Sequence, residues 1–177
     1  MHKLQKGFIQ IYTGNGKGKT TAAIGQAIRA AGSGMKTLII HFMKNFPYGE
    51  IKALKNLDDW IRIEQFGDDN FVLRKTPPDN SDKASALAAI ERAKKAMLNN
   101  EVDLVILDEI CVTFYFGLLK VEEVLPLLEI KPDNIEMILT GRYCPQELID
   151  KADLVTEMKE IKHYYQKGIT SRKGIDS

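Results

Sequence analysis

The stretch GFIQIYTGNGKGKTTAAIG, residues 7 to 25, decides the fold of this chain. It begins as a short run of β-forming residues, passes through a loop with glycines at 14, 16 and 18, and continues as a helix of small residues. At the carboxyl end of a parallel strand, such a loop can point successive backbone N–H groups at one spot, beside the positive end of the helix dipole. The stretch therefore predicts a strand, an anion-binding loop and a helix.

The loop departs by one residue from the common phosphate-binding pattern G-x-x-x-x-G-K-S/T. The last three positions of the pattern fall on Gly18, Lys19 and Thr20, whereas its first glycine falls on Thr13. In such a loop, Lys19 would place its charge on phosphate groups and the Thr20 hydroxyl would bind a magnesium ion. A glycine-rich segment taken alone can also be a flexible, solvated turn.

The rest of the chain alternates between strand-like and helix-like segments. Strands are predicted at 7–12, 37–42, 60–66, 103–109 and 135–141, with a last edge strand within 153–161. Helices are predicted at 19–32, 51–57, 82–98, 121–129 and 146–152. This alternation predicts an α/β fold of three layers, in which a mostly parallel central sheet carries helices on both faces, as in P-loop NTPases.

Turn formers and prolines set the boundaries of some elements. The segment 67–81 contains a double proline and is predicted to be a long loop, a type of segment that is often functional. Asn80 or Ser81 is expected to cap the helix that follows. Pro126 weakens the prediction of a helix at 121–129, because it removes an interior hydrogen-bond donor.

Length and composition predict a single domain, residues 1–177, because 177 residues with 44% hydrophobic composition suffice for one core and are too few for two ordinary domains. The 25 basic and 24 acidic residues leave a net charge of +1, which argues against nucleic acid or an anionic membrane as partner. Cys111 and Cys144 form no CxxC pattern, which argues against a disulfide framework and a structural zinc site. With no leader-like start and no apolar run of about 18 residues, the protein is expected to be soluble and cytoplasmic.

The apolar run LVILDE, residues 104–109, ends in two carboxylates, Asp108 and Glu109. Because the carboxyl ends of parallel strands meet at one edge of a sheet, these carboxylates are expected near the glycine-rich loop. The two segments together resemble a Walker A and Walker B pair and favour nucleotide binding over a plain loop. Carboxylates after a strand also occur as ordinary caps, and Glu109 could equally position a water molecule or act as a base.

Five segments extend these motifs over nearly the whole chain: TGNGKGKTTAAIGQAIRAAG, LIIHFMK, LVILDEI, ILTGRYCPQELIDKADLVTEM, and the tail IKHYYQKGI with KGID. In this order they resemble the ATP:corrinoid adenosyltransferases of cobalamin synthesis and salvage. The form TGNGKGKTT, with Thr13 in place of glycine, is more typical of that family than of P-loop proteins at large. The resemblance implies that the cobalt(I) of a cob(I)alamin or cob(I)yrinic acid derivative attacks the ribose C5′ of ATP and expels triphosphate, with ATP held reversed in the loop.

The resemblance also implies which residues bind ATP and the metal ion. The family's phosphate loop falls on Gly14, Asn15, Gly16, Lys17, Gly18, Lys19, Thr20 and Thr21. Lys19, Thr20 and Glu109 are the implied catalytic residues. The implied ligands of Mg²⁺ or Mn²⁺ are Thr20, Asp108 and Glu109.

Four further residues carry two interpretations each. Arg29 and Arg142 match positions near ATP, although an arginine at such a place is also commonly a solvated surface residue. His163 matches a histidine beside the corrinoid, and the alternative is a partly exposed histidine in a mobile tail. His41 either lines the nucleotide site or packs with a satisfied hydrogen bond.

The segment 67–81 departs from the family at one position. Well-studied members have two aromatic residues there, one residue apart, which displace the lower axial ligand of the corrinoid. This chain has Phe71 and Leu73, and both are expected to contact the corrinoid. Leu73 is expected to exclude water and the lower ligand because its side chain is bulky and apolar. Phe71 as ordinary loop packing is the alternative.

The two ends of the chain also differ from longer relatives. About six residues precede the first strand, so an N-terminal lid over the corrinoid is expected to be missing. The tail at 159–177 is expected either to order over the site or to stay mobile, basic and partly disordered. Its cations include Lys162, Lys167, Arg172 and Lys173.

The resemblance further implies a homodimer, and a reducing protein such as a flavodoxin as a partner. Two rival classes share the same motifs. A P-loop kinase or ATPase of recombinase-like fold would release phosphate or phosphorylate a hydroxyl group, whereas the adenosyltransferase alone yields triphosphate. A nucleotide-binding regulator or corrinoid carrier would bind ATP without turnover.

Overall fold

The computed structural model describes residues 4–43, 48–67 and 77–176. The strands are β1 Ile9–Thr13, β2 Thr37–Phe42, β3 Ile61–Phe66, β4 Leu104–Asp108, β5 Glu136–Thr140 and β6 Leu154–Glu157. The helices are α1 Lys19–Gly32, α2 Gly49–Leu54, α3 Asn80–Leu98, α4 Ile110–Tyr115, α5 Val121–Glu129 and α6 Gln146–Ile149. Short 3₁₀ turns occupy Lys55–Leu57 and Tyr164–Lys167.

The six strands form one sheet in the order β3-β2-β4-β5-β1-β6, and every neighbouring pair is parallel. The predicted α/β fold with a parallel sheet is therefore confirmed, and β6 is the predicted edge strand. The register places His41 of β2 opposite Asp108 of β4, and Tyr12 of β1 opposite Thr140 of β5. The carboxyl ends of β1, β4 and β5 consequently lie side by side.

Helices cover both faces of the sheet. On one face, alanines of α1 pack with Leu54 of α2 against Ile39, Ile106 and Ile138 of the central strands. On the other face, α3 to α6 pack against the alternate residues of the same strands, including Leu38, Ile40, Val105, Leu107, Met137 and Leu139. Because β2 and β4 are buried on both faces, they read as continuous apolar runs in the sequence.

The start of α3 differs from the prediction. The capping residue is Asp79 rather than Asn80 or Ser81, and its carboxylate accepts hydrogen bonds from the backbone N–H of Ser81 and Asp82 at 2.8 and 2.9 Å. The Asp82 carboxylate accepts in return from the Asp79 N–H at 3.1 Å, which completes a capping box. Carboxylates are also favoured at these two positions because they face the positive end of the helix dipole.

Helix α5 matches the predicted range 121–129, whereas helix α6 is shorter than predicted. Helix α5 forms despite Pro126, because Val124, Leu127 and Leu128 are buried against the core. Helix α6 spans only Gln146–Ile149 of the predicted seven-residue segment. Across the described ranges, no helix combines the length and apolar composition that crossing a membrane requires.

Candidate active site

The loop between β1 and α1 wraps around the ammonium group of Lys19. Lys19 Nζ donates hydrogen bonds to the carbonyl oxygens of Gly14 and Gly16 at 2.9 and 2.7 Å, and only 6% of the residue is exposed. Burial lowers the pKa of Lys19, and the nearby Arg142 lowers it further, while Glu109 opposes the shift. An ammonium group has three donors, so one is left for an anion bound in the loop.

The glycines of the loop permit a close approach to the end of β6. A Cβ atom on Gly14 or Gly16 would lie 2.6 Å from the carbonyl oxygen of Met158, and Gly14 also has a φ of +96°. The N–H of Gly16 donates to that same carbonyl at 2.6 Å. Strand β6 therefore supports the loop from behind, and Gly16 serves through its lack of a side chain rather than through a free N–H group.

A buried polar network lies behind the loop, at the carboxyl end of β4. Asp108, 1% exposed, has one carboxylate oxygen 2.8 Å from His41 Nδ1, and its other oxygen accepts from the Thr140 hydroxyl at 2.8 Å. A carboxylate accepts, so Nδ1 of His41 carries the proton. His41 Nε2 is buried without a hydrogen-bond partner among the described residues. Of the two interpretations of His41, the packed histidine with a satisfied hydrogen bond therefore applies to Nδ1 but not to Nε2.

The network orients Glu109. The backbone N–H of Glu109 donates to Thr140 Oγ1 at 2.9 Å, and Glu109 adopts a left-handed conformation with φ of 64° where β4 turns into α4. Such a conformation costs on the order of 1 kcal/mol for a residue with a side chain, so the surrounding contacts must hold it. Thr140, whose hydroxyl also donates to Asp108, provides this contact, and the Glu109 side chain lines the cleft described next.

We expect Asp108→Ala to lower the free energy of unfolding by about 3 kcal/mol, because it leaves the buried His41 and Thr140 groups unpaired. In a chain of this size, that corresponds to a fall in Tm of roughly 10 °C in thermal denaturation. Asp59→Ala, at an exposed aspartate, is the control and should change the unfolding free energy by less than about 0.5 kcal/mol. Equal stability of the two variants would show that the network contributes nothing.

A cleft of about 1090 Å³ opens over the carboxyl ends of the strands. Three of the four non-glycine residues with positive φ in the described ranges line it, namely Met43, Glu109 and Tyr143. Backbone strain of this kind concentrates at functional sites. The phosphate-loop residues in its wall are Gly16, Lys17, Gly18, Lys19, Thr20 and Thr21.

The C-terminal tail closes one side of this cleft. Lys17 Nζ lies 2.5 Å from the Asp176 carboxylate and 2.5 Å from the Ile175 carbonyl oxygen. The Tyr164 hydroxyl also donates to Asp176, and the Arg172 guanidinium lies 4.4 Å from the centre of the Tyr164 ring. The described tail is therefore anchored to the phosphate loop, which matches the expectation that it orders over the site. None of the tail cations in the described ranges, Lys162, Lys167, Arg172 and Lys173 among them, lines the cleft.

The contact between Lys17 and Asp176 should survive mild acid. The hydrogen bond from Lys17, followed by that from Tyr164, holds the pKa of Asp176 well below its ordinary value of 3.8. Because the pKa of Asp176 is lower in the folded protein than in the unfolded chain, this contact stabilises the docked tail fully at pH values above 3.8. The contact is lost only as the pH falls through the lower pKa of the folded protein. We expect hydrogen-exchange protection of tail amides, corrected for intrinsic rates, to stay constant from pH 7 down to about pH 4. Loss of protection between pH 6 and about pH 5 would contradict this assignment.

The structure brings most of the predicted site residues together. Thr20, Glu109, Arg142 and His163 line the cleft with the phosphate loop. His163 Nδ1 accepts from the Tyr165 N–H at 3.1 Å, which leaves Nε2 as its proton donor. Arg29 lies apart, in the last turn of α1, about 15 Å along the helix axis from Lys19. Phe71 and Leu73 lie outside the described residues.

Some residues at the site were not predicted from the sequence. Thr140 could have been noticed as the one polar residue closing the apolar run of β5. Tyr115 and Tyr143 follow the carboxyl ends of β4 and β5 closely, but exposed tyrosines carry no periodic signal. Asp176 lies 159 residues from Lys17 in sequence, and no local pattern predicts such a contact.

An all-parallel sheet with this loop between its first strand and first helix defines an α/β protein of the P-loop NTPase-like class. Residues 5–177 match the model of the family described as ATP:corrinoid adenosyltransferase BtuR/CobO/CobP. The chain therefore belongs to the ATP:corrinoid adenosyltransferases, and it is a transferase. The resemblance noted in the sequence is confirmed.

Individual relatives support the same assignment. The chain is 34% identical to the corrinoid adenosyltransferase CobA of Salmonella typhimurium over 173 residues. This match covers 97% of this chain and 86% of that protein. The same values hold for the corrinoid adenosyltransferase of Escherichia coli K12. The corrinoid adenosyltransferase of Pseudomonas aeruginosa is 32% identical over 173 residues, covering 97% of this chain and 84% of that protein.

Proposed function

We propose that the protein transfers the 5′-deoxyadenosyl group of ATP to the cobalt(I) of a corrinoid within this single cleft. The cobalt donates an electron pair to C5′ and forms a cobalt–carbon bond, while the C5′–O bond breaks and its pair leaves with triphosphate. The observation that carries the proposal is the enclosed Lys19 ammonium, which faces a cleft much larger than a phosphate site requires. No step needs a protein base, since the nucleophile is the substrate's metal.

The phosphate loop stabilises the leaving triphosphate. Lys19 keeps one donor free for it, and the first-turn N–H groups of α1, from Lys19 to Thr21, have no carbonyl partner within the helix. Lys17 exchanges Asp176 for a phosphate oxygen when ATP binds, because both are anions competing for one exposed ammonium group. Charge that grows on the triphosphate thus meets donors already in place.

The residues present fit a magnesium ion bound together with the phosphates. Magnesium prefers oxygen ligands and usually takes one or two from the protein, and the Thr20 hydroxyl and Glu109 carboxylate both line the cleft. When bound, the ion would neutralise charge on the triphosphate. Asp108 is buried, and its oxygens already have partners in His41 and Thr140, so we assign it the positioning of Glu109 instead of direct metal contact. Direct metal ligation by Asp108, as predicted from the sequence, would require it to exchange one of these hydrogen bonds for the ion.

The corrinoid occupies the apolar side of the cleft. Phe42, Met43, Val112 and Phe116 belong to the apolar part of its lining. Such a wall excludes water from the reactive cobalt(I) and aligns it with C5′, which is the main contribution that the protein can make to this reaction. His163 faces the same cleft and can donate a hydrogen bond to a corrinoid amide. Phe71 and Leu73 remain proposed corrinoid contacts on the resemblance alone.

The test is an anaerobic assay with magnesium, ATP and chemically reduced cob(I)alamin, followed by visible spectroscopy. We expect a light-sensitive alkylated corrinoid that forms only when ATP is present. ATP binding with release of phosphate and no corrinoid conversion would instead support a P-loop kinase or ATPase. Binding of ATP without any turnover would support a regulator or carrier.

The assembly and cellular setting are part of the same proposal. A homodimer, a cytoplasmic location and reduction of the corrinoid by a protein such as a flavodoxin all rest on the resemblance. Light scattering of the purified protein tests the dimer directly. A monomer that retains full activity would overturn that part and leave the chemistry intact.

A further inference from the structure

Two tyrosines form a stacked pair on the rim of the cleft. The rings of Tyr115, at the end of α4, and Tyr143, after β5, have centroids 4.5 Å apart and an interplanar angle of 25°. Phe116 contacts the Tyr115 ring edge to face, with a centroid distance of 5.3 Å. These contacts fix the orientation of the two rings, although 65% of Tyr115 and 53% of Tyr143 are exposed.

Tyr143 adopts an unfavourable backbone conformation without the compensation of burial. Its φ is +60°, in the left-handed region that bulky side chains rarely adopt. Residues in this conformation normally persist where core packing or a ligand holds them. Because about half of Tyr143 is exposed, core packing alone does not account for a ring at this position.

The pair offers a flat aromatic face to the cleft. Both tyrosines line it together with the phosphate loop and Arg142. More than half of each tyrosine is exposed to solvent, and flat π-systems stack on exposed aromatic faces. A corrin macrocycle is puckered and rimmed by saturated side chains, so it fits poorly. The ligand chemistry that matches is a planar heteroaromatic base.

We propose that Tyr115 and Tyr143 form a stacking platform for the heteroaromatic base of a substrate bound in the cleft. This rests on the proposed function, which supplies two sources of such a base: the adenine of ATP and the benzimidazole of a complete corrinoid. The platform is a specificity-determining element in either case, because it distinguishes substrates by a ring far from the reacting C5′ and cobalt atoms.

The experiment compares Tyr115→Ala and Tyr143→Gly with the ring-retaining variants Tyr115→Phe and Tyr143→Phe. Glycine at 143 removes the ring and also relieves the positive φ, so this variant should fold at least as well as wild type. For each, KM is measured for ATP, for cob(I)alamin and for cob(I)inamide, which lacks the base, and ATP binding is measured separately by calorimetry. Phe8→Ala, at an exposed aromatic outside the cleft lining, is the control.

We expect both ring-deleting variants to raise one constant by about tenfold, while the Phe variants stay near wild type. A higher KM and Kd for ATP alone assigns the platform to adenine. A higher KM for cob(I)alamin but not for cob(I)inamide assigns it to the benzimidazole. Unchanged constants for all three substrates, or an equal rise for both corrinoids, would overturn the proposal. Failure of wild type to convert any corrinoid would instead refute the proposed function, and the calorimetric arm would still test adenine stacking.

Discussion

Lys19→Ala is expected to reduce kcat/KM for ATP by about 10³-fold, the upper range for loss of one preorganised donor to a developing anion. Lys19 is enclosed by the carbonyl oxygens of Gly14 and Gly16, so no other cation can take its place without rebuilding the loop. The fold should persist, because burial already lowers the pKa of this ammonium group and so its charge is costly to bury. Steady-state kinetics and thermal denaturation measure the two effects separately.

Two control variants sharpen this prediction. Lys19→Met keeps the aliphatic stem without the charge and should lose as much activity as Lys19→Ala. Lys36→Ala removes an exposed cation before β2, at the opposite edge of the sheet, and should leave KM for ATP unchanged. Activity of Lys19→Met within a few-fold of wild type would show that packing, and not charge on phosphate, is the role of Lys19.

Gly16→Ala is the second change with a large expected effect. The added methyl group would lie 2.6 Å from the Met158 carbonyl oxygen, a backbone atom that cannot move aside without displacing the end of β6. We expect a loss of about 1–3 kcal/mol in the free energy of unfolding, typical of overpacking, and at least a tenfold loss in ATP affinity as the loop is pushed out of shape. Denaturant unfolding and calorimetric titration with ATP measure both quantities.

The matched control is another glycine of the same segment. Gly25 lies on the exposed side of α1, where an added Cβ meets nothing within 4 Å. Gly25→Ala should therefore stabilise the protein by roughly 0.5–1 kcal/mol, since alanine favours a helix over glycine. If Gly16→Ala behaved like Gly25→Ala, the close packing of the loop on β6 would not be required for folding or for binding.

Most of the fold could be predicted because the strands carry strong local signals. The runs TLIIHF and LVILD are buried on both faces of a parallel sheet, and their boundaries match the structure closely. Two local features, the cap of α3 and helix α4, were not predicted correctly. Asp79 caps α3 because its carboxylate closes a box with Asp82, which a one-residue cap preference does not capture. Helix α4 went unpredicted because its residues Ile110 to Thr113 are all buried and so show no alternation of apolar and polar faces.

Only part of the site could be predicted, because several contacts that form it join residues far apart in the sequence. The phosphate loop, Asp108 and Glu109 end buried strands, so a parallel topology already places them at one edge. The side-chain partners that decide their roles come from elsewhere: His41 and Thr140 for Asp108, and Met158 for the loop glycines. Arg29 shows the converse, since the sequence match to a position near ATP does not bring it to the cleft.

The central claim is that C5′ of ATP, and not a phosphorus atom, is attacked in this cleft. One measurement tests it most directly: anaerobic turnover of ATP carrying oxygen-18 at the oxygen that bridges C5′ and the α-phosphate, with mass analysis of the products. We predict one intact, labelled triphosphate for each alkylated corrinoid formed. Release of orthophosphate or pyrophosphate, with the label retained on the nucleoside, would contradict the claim.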